Sequence, residues 1–164
     1  VTQRVPAFEG KIKAPDALAP WLASVPRPLV FTNGVFDLLH RGHVTYLARA
    51  REHGAALLVA LNSDASVRRL AKGAGRPINS LANRLALVAA LESVDAVTWF
   101  EDDTPAALIE VCRPDVLVKG GDWPVERIVG AAGVLARGGE VLSIPFEHEQ
   151  STSALLARIR GAGS

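Results

Sequence analysis

The stretch PLVFTNGVFDLLHRGH, residues 28–43, passes from an apolar segment rich in β-branched and aromatic residues through Asn33-Gly34 to two histidines, His40 and His43, which flank Arg41 and Gly42. An apolar run that stops at a turn signal and gives way to helix-period sequence reads as a buried strand feeding a helix. The same alternation continues along the chain. PLVFTN (28–33), ALLVALN (56–62), VDAVTWF (94–100), PDVLVKG (114–120) and GEVLSIPF (139–146) read as strands. Between and after them, helices are expected over His43 to His53, Asp64 to Ala71, Leu81 to Ser93, Thr104 to Cys112, Pro124 to Arg137 and Ser153 to Arg160. Strands alternating with helices imply crossover connections and a parallel sheet covered on both faces. The expected fold is a single Rossmann-like, doubly wound α/β domain with a five-stranded parallel sheet, over residues 28–160. Residues 1–27 are expected to form a capping segment, with one short helix near Asp16 to Ser24 packing through Trp21 and Leu22, and 161–164 a disordered tail.

Composition fits one such domain. The 164 residues are 49% hydrophobic and 21% charged, within the range of soluble globular chains. A formal net charge of +1 gives no general reason to expect a nucleic-acid partner. No apolar run approaches the roughly 20 residues that cross a bilayer, and the N-terminal residues lack the zones of a signal peptide, so a cytoplasmic location without membrane contact is expected. Cys112 is the only cysteine and reads as a small buried hydrophobe.

In open parallel sheets, ligands bind beyond the carboxyl ends of the strands, where strand order reverses. The residues after each apolar run are therefore the candidates: Asn33, Gly34, Asp37, His40 and His43 after the first, and Asn62 and Asp64 after the second. Lys119, Gly120, Gly121, Asp122 and Trp123 follow the fourth, and Ser151, Thr152 and Ser153 follow the fifth. Residues three apart on a helix share a face, so a helix starting near His40 aims both imidazoles into one space. Gly42 lets a ligand approach the main chain, and the helix-start N–H groups favour a phosphate. Zinc ligation is disfavoured, because neither His53 nor His148 stands at a partner spacing and no cysteine is near. For the pair taken alone, two structural histidines remain the alternative. The chain has no G-x-x-x-x-G-K-[ST] and no G-x-G-x-x-G after the first strand, so a nucleotide would be held in another way.

NGVFDLLHRGH resembles the G-x-F-D-x-x-H-x-G-H signature of the nucleotidyltransferase superfamily whose helix-start histidines bind nucleotide phosphates. LNSDASVRRL, GRPINSLANR, ALESVDAV, EDDTP, RPDVLVKGGDW and STSALLARI follow in order, and from about Lys11 to Arg160 the chain is similar to adenylyltransferase domains that make ADP-heptose from ATP and D-glycero-β-D-manno-heptose 1-phosphate. The resemblance implies that a sugar 1-phosphate attacks the α-phosphorus of ATP and pyrophosphate leaves. It implies His40, His43, Lys119 and Arg84 as the catalytic set, with the main chain of Gly34, Val35 and Phe36 lining the same corner. Asp37 would order the turn, and Asp64 would lie near the nucleotide, although a helix N-cap explains Asp64 equally well. Lys72, in the KGAG joint, either closes over phosphates or is a solvated surface lysine, and Arg76 is a further cation toward the phosphates. Asp122 can accept from hydroxyls and Trp123 can stack. Ser151, Thr152 and Ser153 can bond β- or γ-phosphate, since plain capping accounts for only one of them.

Mg²⁺ is expected with ATP, held mainly by phosphate and water rather than by protein ligands. A homodimer is compatible with so short a chain. Val35 and Ser153 stand where relatives usually carry Cys and Thr, and FEHEQ lacks the arginine of some cytidylyltransferases. Two alternatives stay open: a cytidylyltransferase acting on a small alcohol phosphate such as glycerol 3-phosphate, and a nucleotide-binding module without turnover.

Overall fold

The computed structural model describes residues 4–70, 75–148 and 151–161. Strands β1 (Leu29–Gly34), β2 (Ala56–Asn62), β3 (Ala96–Phe100), β4 (Val116–Gly120) and β5 (Glu140–Ile144) form one sheet in the order β3-β2-β1-β4-β5, every pair parallel. The helices are α1 (Leu18–Ser24), α2 (Arg41–Arg51), α3 (Asp64–Arg69), α4 (Leu81–Ala89), α5 (Ala106–Cys112), α6 (Ala131–Ala136) and α7 (Thr152–Gly161). Five parallel strands interleaved with helices are the Rossmann-like arrangement that the alternation of the sequence predicts.

The period of two along each strand divides the core into two layers. Leu29 and Phe31 of β1 and Leu58 of β2 pack with Leu18, Ile109 and Val134 of the helices on one face. Val30, Leu57 and Val59 pack with Leu47, Leu85 and Val88 on the other. Each layer removes large aliphatic side chains from water, at roughly 25 cal/mol per Å² of apolar surface. Cys112 lies in the first layer, where burial raises its thiol pKa to about 12. It is an inert hydrophobe at neutral pH.

Residues before β1 do more than cap one face. Trp21 and Leu22 of α1 pack against the first layer as expected, while Phe8 and Ile12 pack against the second. Ile12 also bridges Val97 in parallel, and the Lys13 N–H donates to the Val97 carbonyl at 2.8 Å, covering the outer edge of β3.

Three expected helices differ in extent. Pro124 to Arg137 is not one helix: a 3-10 turn, Val125–Arg127, precedes α6, because Gly130 takes a left-handed φ of +86° and restarts the chain. Helix α4 stops at Ala89, well before Ser93, and α2 begins at Arg41, with His40 as its N-cap. No helix among the described residues is long and apolar enough to cross a membrane.

Strand order reverses between β1 and β4, and there the sheet opens. β1 pairs with β2 from Leu29 to Gly34 but with β4 only at Val30 and Phe31. Past those two residues the strands part, and their carboxyl ends flank a crevice.

Candidate active site at the parted ends of β1 and β4

Two lobes occupy this crevice, one of about 450 Å³ and the other of about 290 Å³. Asn33, Gly34, Val35, Lys119 and Trp123 line both and form the boundary between them. Phe36, Asp37, His43, Gly120 and Ser151 to Ser153 line the larger lobe, and Asn62 lines the smaller. Segments far apart in sequence therefore converge on one rim.

The turn after β1 is held tightly. Phe36 adopts a left-handed φ of +48°, which a non-glycine residue takes only under constraint from its surroundings. Its ring packs over Gly34, where an added Cβ would come within 2.8 Å of the ring. Asp37, 1% exposed, accepts from the N–H of Ile78 at 2.9 Å and of Asn79 at 2.8 Å, and from Arg76 Nε at 2.6 Å. Burial alone would raise its pKa, but these donors outweigh that and hold the carboxyl below its usual range. Asp37 thus orders the turn by tying it to the segment before α4.

His40 and His43 stack, with ring centroids 3.8 Å apart and planes 26° from parallel. Gly42 leaves room for this stack, since a Cβ there would approach the His40 ring to 3.0 Å. Burial, and then the neighbouring His40 ring, lowers the His43 pKa to about 4, and burial lowers that of His40. Both rings are therefore neutral at pH 7 and carry one proton each. Each Nδ1 is buried without a partner among the described residues. A buried acceptor without a partner costs less than a buried N–H without one, so the proton belongs on Nε2. His43 reaches the larger lobe directly; His40 supports it from behind, outside the lining.

Lys119 and Gly120 end β4. Phe146 lies over Gly120, where a Cβ would meet its ring at 2.8 Å, and packs against Tyr46 at 5.5 Å and His43 at 6.4 Å between ring centroids. Ser143 fixes the next loop, its Oγ accepting from the Trp123 N–H at 2.9 Å and donating to the Gly121 carbonyl at 2.6 Å. Gly121 and Asp122 shape this loop and line neither lobe. On the opposite wall, Ser151 Oγ caps α7 by accepting from the Ala154 N–H at 3.0 Å, and Thr152 Oγ1 donates to the Leu38 carbonyl at 3.4 Å.

Besides His40, Gly42, Gly121 and Asp122, two further candidates, Arg84 and Asp64, line neither lobe. Arg84 is 0% exposed and lines neither lobe. Its guanidinium donates to the carbonyls of Val35 and Asn62, each at 2.8 Å, and of Asn79 at 3.1 Å, and pairs with Asp64 at 2.7 Å. These bonds leave it turned inward, beneath the turn rather than toward a phosphate. Asp64 is that partner and not an N-cap, because Ser63 caps α3 by accepting from the Ser66 N–H at 3.1 Å. Lys72 lies outside the described residues.

The residue-by-residue reading overlooked Phe146 and Tyr46. Phe146 stands two residues past the end of β5, where the rule that residues beyond strand ends line the site would reach it, but the sequence run 139–146 placed it inside the expected strand. Tyr46 carried a weaker signal, being one helical turn past His43 on the face that meets the sheet; its hydroxyl bonds Thr32 Oγ1 at 2.6 Å.

Comparison with known proteins agrees with this geometry. Residues 31–155 match the cytidylyltransferase-like family model. The chain is 55% identical to a D-beta-D-heptose 1-phosphate adenylyltransferase of Bordetella bronchiseptica, over 93% of this chain and 96% of that protein. It is also 55% identical to the bifunctional protein HldE of Hahella chejuensis, over 80% of this chain but only 28% of that longer protein. Among solved structures, a lipopolysaccharide core biosynthesis protein of Thermoplasma volcanium superposes with a TM-score of 0.59 at 26% identity, covering 74% of this chain and 98% of that one. A pantothenate synthetase of Thermus thermophilus shares the fold alone, with a TM-score of 0.52 at 20% identity, covering 78% of this chain and 59% of that one. The parted strands, the stacked histidines at the start of α2 and the match over residues 31–155 lead to one conclusion: this chain belongs to the cytidylyltransferase-like family of nucleotidyltransferases.

Proposed function

We propose that the protein transfers the AMP moiety of ATP to D-glycero-β-D-manno-heptose 1-phosphate, giving ADP-heptose and pyrophosphate for lipopolysaccharide core or surface-polysaccharide synthesis. The observation that carries the reaction class is one crevice, at the reversal of strand order, gathering the His43 imidazole, a lysine and a hydroxyl-bearing helix start. The substrate pair rests on 55% identity with the Bordetella adenylyltransferase over 93% of the chain. Relatives of that name do not favour CTP with a small alcohol phosphate, or a module without turnover.

The acceptor's phosphate has a second pKa near 6, so its oxygen is already anionic at pH 7 and needs no general base. It attacks the α-phosphorus, a new P–O bond forms, the α–β bridging bond breaks, and its electron pair leaves on pyrophosphate. Catalysis then consists of holding two anions in line and stabilising charge as it spreads over the phosphate oxygens. In this scheme the Nε2–H of His43 donates to the triphosphate, His40 stacks on that ring and positions it, and Lys119, at the boundary of the lobes, neutralises the reacting centre. The hydroxyls of Ser151, Thr152 and Ser153 hold the β- and γ-phosphates. Asp37 and Arg84 act as positioning residues: one ties down the turn, the other the Val35 and Asn62 carbonyls.

Among the described residues no group of three or more His, Cys, Asp or Glu side chains is placed to cage an ion. Mg²⁺ would arrive on the triphosphate, held mainly by phosphate oxygens and water. When bound, the ion would offset phosphate charge. Use of ATP would suit a cytoplasmic location, and the exposed Val111 and Leu135 are apolar surface available to a homodimer.

Mass spectrometry after incubation with ATP, Mg²⁺ and the heptose 1-phosphate tests the reaction. The expected products are ADP-heptose and pyrophosphate; their absence with active protein and both substrates present rejects the assignment.

A further inference from the structure

We infer that the smaller lobe receives the phosphorylated acceptor and that Arg127 is the cation that binds the acceptor's phosphate there. The assignment rests on the adenylyl-transfer reading above. Two phosphate-bearing substrates repel each other, so the second needs a cation of its own beside the reacting centre.

The cations near the crevice are unevenly committed. Arg76 lines the larger lobe and is bound to Asp37 at 2.6 Å. Lys119 lines both lobes. Arg127 lines only the smaller one, and among the described residues its guanidinium makes no ion pair or side-chain hydrogen bond. A guanidinium offers a planar fork of donors that matches two oxygens of a phosphate monoester, so an uncommitted one at this wall suits the acceptor.

The backbone that carries Arg127 is anchored. Its N–H donates to the Pro124 carbonyl at 2.9 Å, and the next residue, Ile128, is 7% exposed. The remaining wall suits a sugar ring: Leu70, Pro105 and Val129 offer apolar surface to C–H faces, Thr104 offers a hydroxyl, and the Asp103 carboxylate, its charge offset by Arg69 at 2.7 Å, can accept from sugar hydroxyls. The His43 imidazole and the α7 hydroxyls lie in the other lobe, which leaves this one free while the triphosphate is bound.

Steady-state kinetics with ATP and the heptose 1-phosphate separate the possibilities. Arg127→Gln should raise the acceptor KM about ten- to hundredfold, the range for losing a hydrogen bond to a charged group, while the ATP KM stays within about twofold. Arg127→Lys should recover part of the loss. Val129→Trp, which fills the same lobe without touching a charge, should also raise the acceptor KM alone. An active wild type whose Arg127→Gln variant keeps its acceptor KM overturns the subsite and leaves the reaction intact; an equal rise in both KM values overturns it too, by assigning Arg127 to ATP. A wild type inactive with this sugar phosphate rejects the reaction and the subsite together.

Discussion

The two walls of the larger lobe are built on opposite plans. The β1–α2 wall is rigid from beneath: Phe36 is locked over Gly34, Asp37 carries three bonds, and Arg84 holds two carbonyls of the neighbouring strand ends from a fully buried position. The α7 wall has no buried residue in its helix, and Thr152 bonds across to the Leu38 carbonyl at a long 3.4 Å. Precision is therefore supplied by one wall and adaptability by the other. In the proposed reaction, groups that must meet a phosphorus at a fixed angle would sit on the first, and groups that follow the charged end of the triphosphate on the second.

Breaking the rigid wall should cost most. Arg84→Met removes a buried cation and leaves the Val35, Asn62 and Asn79 carbonyls and the Asp64 carboxylate without it, a change of about 3–5 kcal/mol in the urea unfolding free energy. An effect below about 1 kcal/mol would erase the contrast between the walls. His43→Ala should leave folding largely intact and lower kcat about a hundred- to a thousandfold in a pyrophosphate-release assay, by analogy with removal of an oxyanion donor. On the adaptable wall, Ser153→Ala should raise the ATP KM several-fold at most, about the worth of one hydrogen bond, with the melting temperature unchanged. Larger effects from Ser153→Ala than from His43→Ala would reverse the assignment of roles.

Acid sharpens the same contrast at the smallest scale. The folded-state pKa of His43, about 4, lies below the ordinary value of 6.5, so the unfolded chain takes up a proton that the folded chain refuses. That contribution is silent above pH 6.5, and stability falls as the pH drops from 6.5 toward 4. Replacing His43 with Asn should flatten that limb of the stability profile. In the free enzyme, kcat/KM should likewise show no inflection from His43 between pH 5 and 8.

Much of the rigid wall was legible because local rules governed it. The β1 run, the Asn-Gly turn and the histidine spacing each follow from one short window, and strand order then fixed where they gather. Arg84 was misplaced for a longer-range reason. It shares a helix face with Leu85, Val88 and Leu81, so a charge within an apolar stripe did signal burial; which carbonyls would receive it depended on how β1, β2 and α4 pack. Gly130 broke the expected helix over 124–137 because its positive φ is a tertiary choice that a single glycine leaves open. Arg127, inside that expected helix, could not be seen as part of a wall until the helix was replaced by a turn. Phe146 was hidden because the apolar run 139–146 read as strand to its last residue, whereas β5 ends at Ile144.

The parallel bridge from Ile12 to Val97 also governs how the molecule behaves among its own kind. β3 is a fringe strand, and a bare fringe invites pairing with another chain. By lying along it, Ile12 and Lys13 act as a selvedge on that side of the sheet, so unpicking them would trade a well-behaved enzyme for one that clumps.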